Sequence, residues 1–218
     1  MKHTILLLSL FFNIAISQTI EVNYELLQEK YEVEKTNQEL SESLQVLNNT
    51  KQFFLLTANK EGSLFITNNQ PKNEAEKSLF EIQQILAGIE TFYYNAISKE
   101  LFLVTVNVLV IKNNKQIWNL TNESKIINNY KCYKATYEWE ITNRHGKKVL
   151  RKAVAWYCPE LSYSYGPNGF QDLPGLILEL EVNNNKLVAK KITLNNQKIQ
   201  FPVKKSISES EYLKKLRE

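Results

Sequence analysis

Short runs of β-branched and aromatic residues, each closed by a turn rich in Asn or Gly, recur along this chain and leave it few possible folds. Thr19–Tyr24 alternates Ile20, Val22 and Tyr24 with polar partners, the period of a half-buried strand. Phe53–Ala58 and Ser63–Thr67 flank Asn59-Lys60-Glu61-Gly62, a turn cluster. Ile97–Ile111 holds the run Leu101-Phe102-Leu103-Val104-Thr105-Val106 and reads as one long strand. Lys112-Asn113-Asn114-Lys115 then turns into Gln116–Leu120. Ile126–Ile141, Val149–Cys158 and Leu176–Val182 are three more strands, and Asn183-Asn184-Asn185 turns into Lys186–Leu194.

Helical period is confined to two places. Asn73 followed by Glu76 is a capping-box pattern, and Ala75, Leu79, Ile82, Leu86 and Ile89 then recur at steps of 3 and 4 on one face. Ser208 and Glu211 repeat the cap spacing ahead of Tyr212, Leu213 and Leu216, which predicts a short C-terminal helix. The segment Glu25–Leu47 is charged and fixes no period. Helices do not alternate with strands, so a parallel α/β fold is disfavoured. The expected class is mainly β: a curved antiparallel sheet, bowl-like or half-barrel, with one packed amphipathic helix.

Residues 1–17 have a different character. Lys2 and His3 precede an apolar stretch from Thr4 to Ile16, and Ala15-Ile16-Ser17 places small residues before a cut at Gln18. This pattern predicts a secretory signal peptide. The stretch falls short of the ~20 residues needed to cross a bilayer, and no later segment is apolar enough to span. The expectation is an exported chain (periplasmic, outer-membrane-associated or secreted) with one β-rich domain over 18–218. Lys+Arg number 27 against 23 Asp+Glu. That excess is too small and scattered for a nucleic-acid groove. Its densest basic run, Arg144-His145-Gly146-Lys147-Lys148, reads as the exposed tip of a hairpin over Asn143–Lys148.

The residue inventory narrows the chemistry. The chain has 2 His, and past the signal only His145 remains. A His-based zinc site needs two or three, so no metal site is expected. No Gly-x-Ser-x-Gly elbow accompanies His145 and no Gly-rich phosphate loop is present, so neither a serine triad nor a nucleotide cofactor has a signal. Carboxylates remain, because glycosidic hydrolysis needs only two. Glu160 and Asp172 flank an aromatic loop, while Glu138 with Glu140 and Glu179 with Glu181 read as wet strand faces. Clustered aromatics, Trp156, Tyr157, Tyr163, Tyr165 and Phe170, are candidate binding residues, since exposed rings stack on sugars or peptides.

Cys132 and Cys158 pose a register question. Opposing them across a hairpin also opposes Glu138 to Lys152, a favourable pair. Yet the apolar faces read as Tyr133, Ala135, Tyr137, Trp139 and Ile141 on one strand and Leu150, Val154 and Trp156 on the other. Matching these shifts the register by one and separates the cysteines unless a bulge intervenes. A disulfide and two separate thiols both stay open.

Three ordered motifs carry a resemblance. They are Tyr130-Lys131-Cys132-Tyr133-Lys134-Ala135-Thr136, then Ala155-Trp156-Tyr157-Cys158-Pro159-Glu160, then Tyr165-Gly166-Pro167-Asn168-Gly169-Phe170-Gln171-Asp172-Leu173-Pro174-Gly175-Leu176-Ile177-Leu178-Glu179. Over about residues 130–182 the chain resembles the GLPGLI family, exported proteins of Gram-negative bacteria with no established activity. Asp172 stands where the family hexapeptide has its first Gly; Asp tolerates a positive φ there. That family is similar to the N-terminal bowl-like domain of a type II peptide-N-glycosidase. The resemblance implies a curved antiparallel sheet and a binding role, and carries over no catalytic residue. Gly166, Pro167, Leu173, Pro174, Gly175, Leu176 and Ile177 read as a structural corner, with Pro174-Gly175 its turn pair. The functional expectation is a non-catalytic binding or assembly module of the cell envelope, for glycan or peptide. A carboxylate-dependent hydrolase and an accessory of an outer-membrane receptor are the alternatives.

Overall fold

In the computed structural model the described residues are 18–29, 45–112, 115–142 and 145–216. The signal-peptide expectation for 1–17 and the tip residues 143–144 lie outside them. Twelve strands form one open, curved sheet. They are β1 (Thr19–Leu27), β2 (Gln52–Asn59), β3 (Gly62–Thr67), β4 (Phe92–Asn95), β5 (Glu100–Val104), β6 (Leu109–Lys112), β7 (Asn119–Ile127), β8 (Tyr130–Thr142), β9 (Lys148–Cys158), β10 (Leu176–Val182), β11 (Asn185–Asn195) and β12 (Ser206–Ser208). Helices α1 (Glu74–Ala87) and α2 (Glu209–Lys215) complete the described elements, with a helical turn over 45–49 and a 3-10 turn over Pro167–Gly169.

The spatial order is β12-β6-β5-β4-β3-β2-β1-β11-β10-β9-β8-β7. Two antiparallel meanders, β1 to β6 and β7 to β11, therefore meet where β1 pairs with β11. The three-residue β12 joins β6 in parallel at the far edge. The mainly β, antiparallel, curved architecture is the one the strand pattern predicts.

Turn chemistry explains the register. Asn128-Asn129 (φ 49° and 67°) and Asn183-Asn184 (φ 50° and 65°) both sit in the left-handed region. Each forms a two-residue loop, between the partners Ile127 and Tyr130 and between Val182 and Asn185. Such loops match the twist of the strands they join. Two expected strands are consequently broken. The Ile126–Ile141 run splits at Asn128-Asn129 into the end of β7 and β8. The Ile97–Ile111 run splits into β5 and β6 at Thr105, whose Oγ1 donates to the Val108 carbonyl (2.8 Å) and accepts from its N–H (3.1 Å). A β-branched run continues across that turn because the Thr hydroxyl, not a glycine, satisfies the backbone.

Helix α1 begins as predicted: Asn73 Oδ1 accepts from Glu76 N–H at 2.8 Å, and Gly88 (φ 65°) ends it. Its buried side differs from the expected apolar stripe. Phe80 and Gln83 are buried, whereas Ile82, Ile85 and Leu86 are exposed. Polar docking decides this. Gln83 Nε2 donates to the carbonyls of Leu47 (2.6 Å) and Thr50 (3.2 Å), and Gln83 Oε1 accepts from Gln52 Nε2 (2.7 Å). The C-terminal helix is capped by Ser208, which accepts from Glu211 N–H.

Three clusters make the core. The largest joins Ile20, Val22 and Tyr24 of β1 to Phe54, Leu56, Leu176, Leu178 and both cysteines. The second unites Ala135, Tyr137, Ala153, Ala155 and Tyr157 with Phe170, Leu173 and Ile177. The third holds Tyr93, Phe102 and Leu109. The β8–β9 ladder runs without a break from Tyr133 opposite Tyr157, through Glu138 opposite Lys152, to Thr142 opposite Lys148. The core face of β9 is Ala153, Ala155 and Tyr157; Leu150 is exposed and Val154 and Trp156 only half-buried. The expected even-numbered apolar face is corrected accordingly, and no bulge between these strands is needed. Small alanines, weak as hydropathy signals, form the true inward row.

Candidate functional site

Between β9 and β10 the chain makes a long excursion, Pro159–Gly175, tied down at nearly every step. Leu176 N–H donates to Leu161 O (3.0 Å), Ile177 N–H to Tyr165 O (3.0 Å) and Asp172 N–H to Ser164 O (3.1 Å). Gln116, itself buried, donates to Gly169 O (3.0 Å) and accepts from Gln171 N–H (2.8 Å). Trp118 Nε1 donates to Gln171 O (2.7 Å). Asn168, in the left-handed region at φ 53°, donates to Gly88 O (3.1 Å) and accepts from Glu90 N–H (3.0 Å), joining the loop to the end of α1. An added Cβ at Gly166 would stand 2.5 Å from the Ile177 side chain. One at Gly175 (φ 151°) would stand 2.2 Å from the Cys158 carbonyl oxygen. Leu173, Leu176 and Ile177 are buried, while Pro167 opens a short 3-10 turn and Pro174 is exposed. Asp172 adopts φ 70°, the conformation a glycine at that place would allow.

Held this way, the loop borders two clefts. The first, about 650 Å³, is lined by Gln18, Asn59, Lys60, Glu160, Tyr163 and Tyr165, among others. Tyr163 Oη donates to Gln18 O (3.2 Å), so the start of β1 forms one wall. The second, about 780 Å³, is lined by Tyr94, Lys99, Lys112, Lys115, Gln171 and Asp172, among others. The Tyr94 and Tyr165 rings, 5.7 Å apart and tilted by 53°, stand one in each lining. Burial pushes the Tyr165 and Tyr94 phenols up, so both remain donors at neutral pH. Burial also raises the Asp172 carboxyl, against the Gln116 N–H and the Lys115 charge, which lower it.

The aromatic candidates separate by placement. Tyr163 and Tyr165 are half-buried and line the first cleft. Tyr157 and Phe170 are core residues, Phe170 against Trp118 and Trp139. Trp156 lies apart, half-buried under Lys125, whose Nζ is 4.3 Å from the ring centroid and pairs with Glu179 at 2.6 Å. The two carboxylates flanking the loop are divided as well: Glu160 lines the first cleft and Asp172 the second. The strand carboxylates Glu138, Glu140, Glu179 and Glu181 are each in an ion pair with lysine. Among the described residues no group of three or more His, Cys, Asp or Glu is placed to hold a metal ion. Sequence reading missed Tyr94, on a strand too short to show a period, and Gln116, whose role depends on partners more than fifty residues away. Cys132 and Cys158 are both fully buried, and in this structure their sulfurs are not bonded to each other.

A family described as "Protein of unknown function (Porph_ging)" matches residues 143–179, from the β8–β9 tip through the loop into β10. A solved structure described as "Structure of PNGF-II in C2 space group" is similar with a TM-score of 0.57 and 17% identity. The likeness covers 91% of this chain and 32% of that one, so this chain spans about a third of PNGF-II's length. At that identity the shared property is the fold. No curated protein matches.

Proposed function

We propose that this chain is an exported, non-catalytic binding module of the cell envelope, and that its ligand is a glycan or a glycan-bearing peptide held in the first cleft. The observation that carries this reading is the makeup of that cleft. Two half-buried tyrosine rings, Tyr163 and Tyr165, sit among short polar groups from Gln18, Asn59, Ser162 and Ser164. Rings supply a flat apolar face and the amides and hydroxyls supply donors and acceptors, the combination that neutral sugars require. A hydrolase of the two-carboxylate kind needs both groups across one bond, and Glu160 and Asp172 lining different clefts weighs for binding over catalysis.

Glycan-array screening of the purified chain, followed by calorimetry on the best ligand, tests the reading. Binding without turnover, weakened at least about tenfold by Tyr163→Ala in chain that still unfolds in one cooperative transition, is the expected result; tenfold is about 1.4 kcal/mol. Hydrolysis of the bound glycan that disappears in Glu160→Gln would replace this reading with the hydrolase. Co-purification with an outer-membrane receptor and no glycan binding would replace it with the accessory role.

A further inference from the structure

The cleft leaves one reactive pair unused. The unbroken β8–β9 ladder ends at Tyr133 opposite Tyr157, and one step further along the same register stand Cys132 and Cys158. Both are fully buried in the main core cluster, among Tyr24, Ile127, Leu161 and Leu176. The Cys132 thiol donates to the Tyr130 carbonyl (3.6 Å), and the two thiols are close enough for each to affect the other's ionisation. Directly opposed residues of an antiparallel pair have Cα atoms about 4.5–5.5 Å apart, inside the span a disulfide bridges. Continued by one step, the register therefore brings the two cysteines within reach of one bond.

We infer that Cys132 and Cys158 form a cross-strand disulfide that is made during folding, before β8 and β9 close into the core, and is then sealed from exchange. The donor is a small or protein disulfide. One cysteine thiolate attacks a donor sulfur and releases a donor thiolate; the second cysteine thiolate attacks the mixed disulfide and releases the other. Two protons leave the cysteines, two electrons pass to the donor, and the donor departs as two thiols. Closure stops this chemistry in two ways. Neither sulfur is accessible, and burial pushes the Cys132 thiol up to about 12 and raises Cys158 too. Thiolate is the attacking species, so a folded dithiol is inert. The bridge stands apart from the ligand cleft and does not depend on its reading.

The test refolds denatured, reduced chain in a mixture of oxidised and reduced glutathione, then counts thiols in denaturant and maps peptides without reduction. The expected result is no titratable thiol, a mass lower by two hydrogen atoms, and a linked Cys132–Cys158 peptide. Chain refolded in reductant and oxidised only once native should react at least about a hundredfold more slowly than unfolded chain, because opening must come first. Two titratable thiols after oxidative refolding, or glutathione held on either cysteine, would overturn the bridge. Equal oxidation rates for native and unfolded chain would overturn the sealing.

Discussion

Gly175 stands at the entry to β10 with φ 151° and no room for a side chain, because an added Cβ would meet the Cys158 carbonyl oxygen and carbon at 2.2 and 2.5 Å. Both obstacles are backbone and cannot swing aside. Gly175→Val is therefore expected to cost at least about 1–3 kcal/mol in strain. In a chain of this size that lowers Tm by roughly 2–4 °C per kcal/mol. Gly146 also has positive φ but meets nothing within 4 Å, so Gly146→Asn is the matched control and should melt as the parent does. Thermal denaturation of the two variants side by side checks both. A second residue-scale expectation concerns pH. Glu25 is buried between Lys190 and Lys51, at 2.8 and 3.1 Å. The Lys190 hydrogen bond holds its carboxyl below the ordinary value, against the burial that raises it, and Lys51 assists. A lowered folded pKa means stability present above the unfolded value of 4.5 and lost as pH falls through the folded one. The stability advantage of the parent over Glu25→Gln should shrink from about pH 5 downward, measured by urea unfolding. Asp172 has the opposite sign: its raised carboxyl loses stability as pH climbs from the unfolded value of 3.8 through the folded one, so Asp172→Asn should gain on the parent across that window and not above it.

At the scale of elements, α1 separates pattern from packing. Gln83 is 1% exposed and Ile85 77% exposed, although hydropathy ranks them the other way. Gln83→Ala strips partners from the Gln52 amide and from the carbonyls of Leu47 and Thr50. The Gln52 amide keeps the Phe80 carbonyl and the Leu47 carbonyl keeps the Thr50 N–H, so the expected cost is about 1–3 kcal/mol in all. Ile85→Ser should stay within about 0.5 kcal/mol of the parent. Chemical denaturation of both variants decides which face docks; a costly Ile85→Ser with a silent Gln83→Ala would reverse it. The same contrast shows what was legible in sequence. Strand existence, the Asn73 and Ser208 caps and the Asn183-Asn184 turn were readable because each is a local signal within a few residues. The break at Thr105, the four-residue β4 and the alanine row of β9 were not, because a threonine turn, a short strand and small side chains barely alter a hydropathy pattern. At the candidate site, Tyr163 and Tyr165 could be picked from the aromatic loop. Their separation from Tyr157 and Phe170 depended on which rings the sheet covers, and Tyr94 and Gln116 enter only through long-range contacts.

The whole molecule turns on β1. It is the first described strand, yet it lies in the interior of the sheet, bonded to β2 on one side and β11 on the other. It is the strand of the first meander that meets the second, and Ile20, Val22 and Tyr24 are each fully buried. Tyr24 also fastens the seam through its hydroxyl, which donates to the Ile177 carbonyl on β10 at 2.5 Å. Both meanders therefore lose a neighbour if β1 leaves. The two sheet ends are different. β7 bonds one neighbour and is exposed along most of its length, and β12 has three residues. Opening free energy grows with the buried surface and ladder that must be broken. Native-state hydrogen exchange should thus show the amides of β1 and of its β11 partners opening only with global unfolding, at the full unfolding free energy. The amides of β7 and β12 should open at a fraction of it, independently of each other. Val22→Ala, which removes buried methyls at the seam, should lower the opening energy of β1 and of both meanders by the same amount, about 1–3 kcal/mol. A variant in which only the first meander lost protection would show that the halves unfold separately and that the β1–β11 seam does not couple them. The first cleft gives that coupling its consequence for binding. Gln18, Asn59 and Lys60 reach it from the first meander, and Tyr163 and Tyr165 from the loop of the second. A ligand there grips both halves, so its binding should raise β1 and β9 protection together.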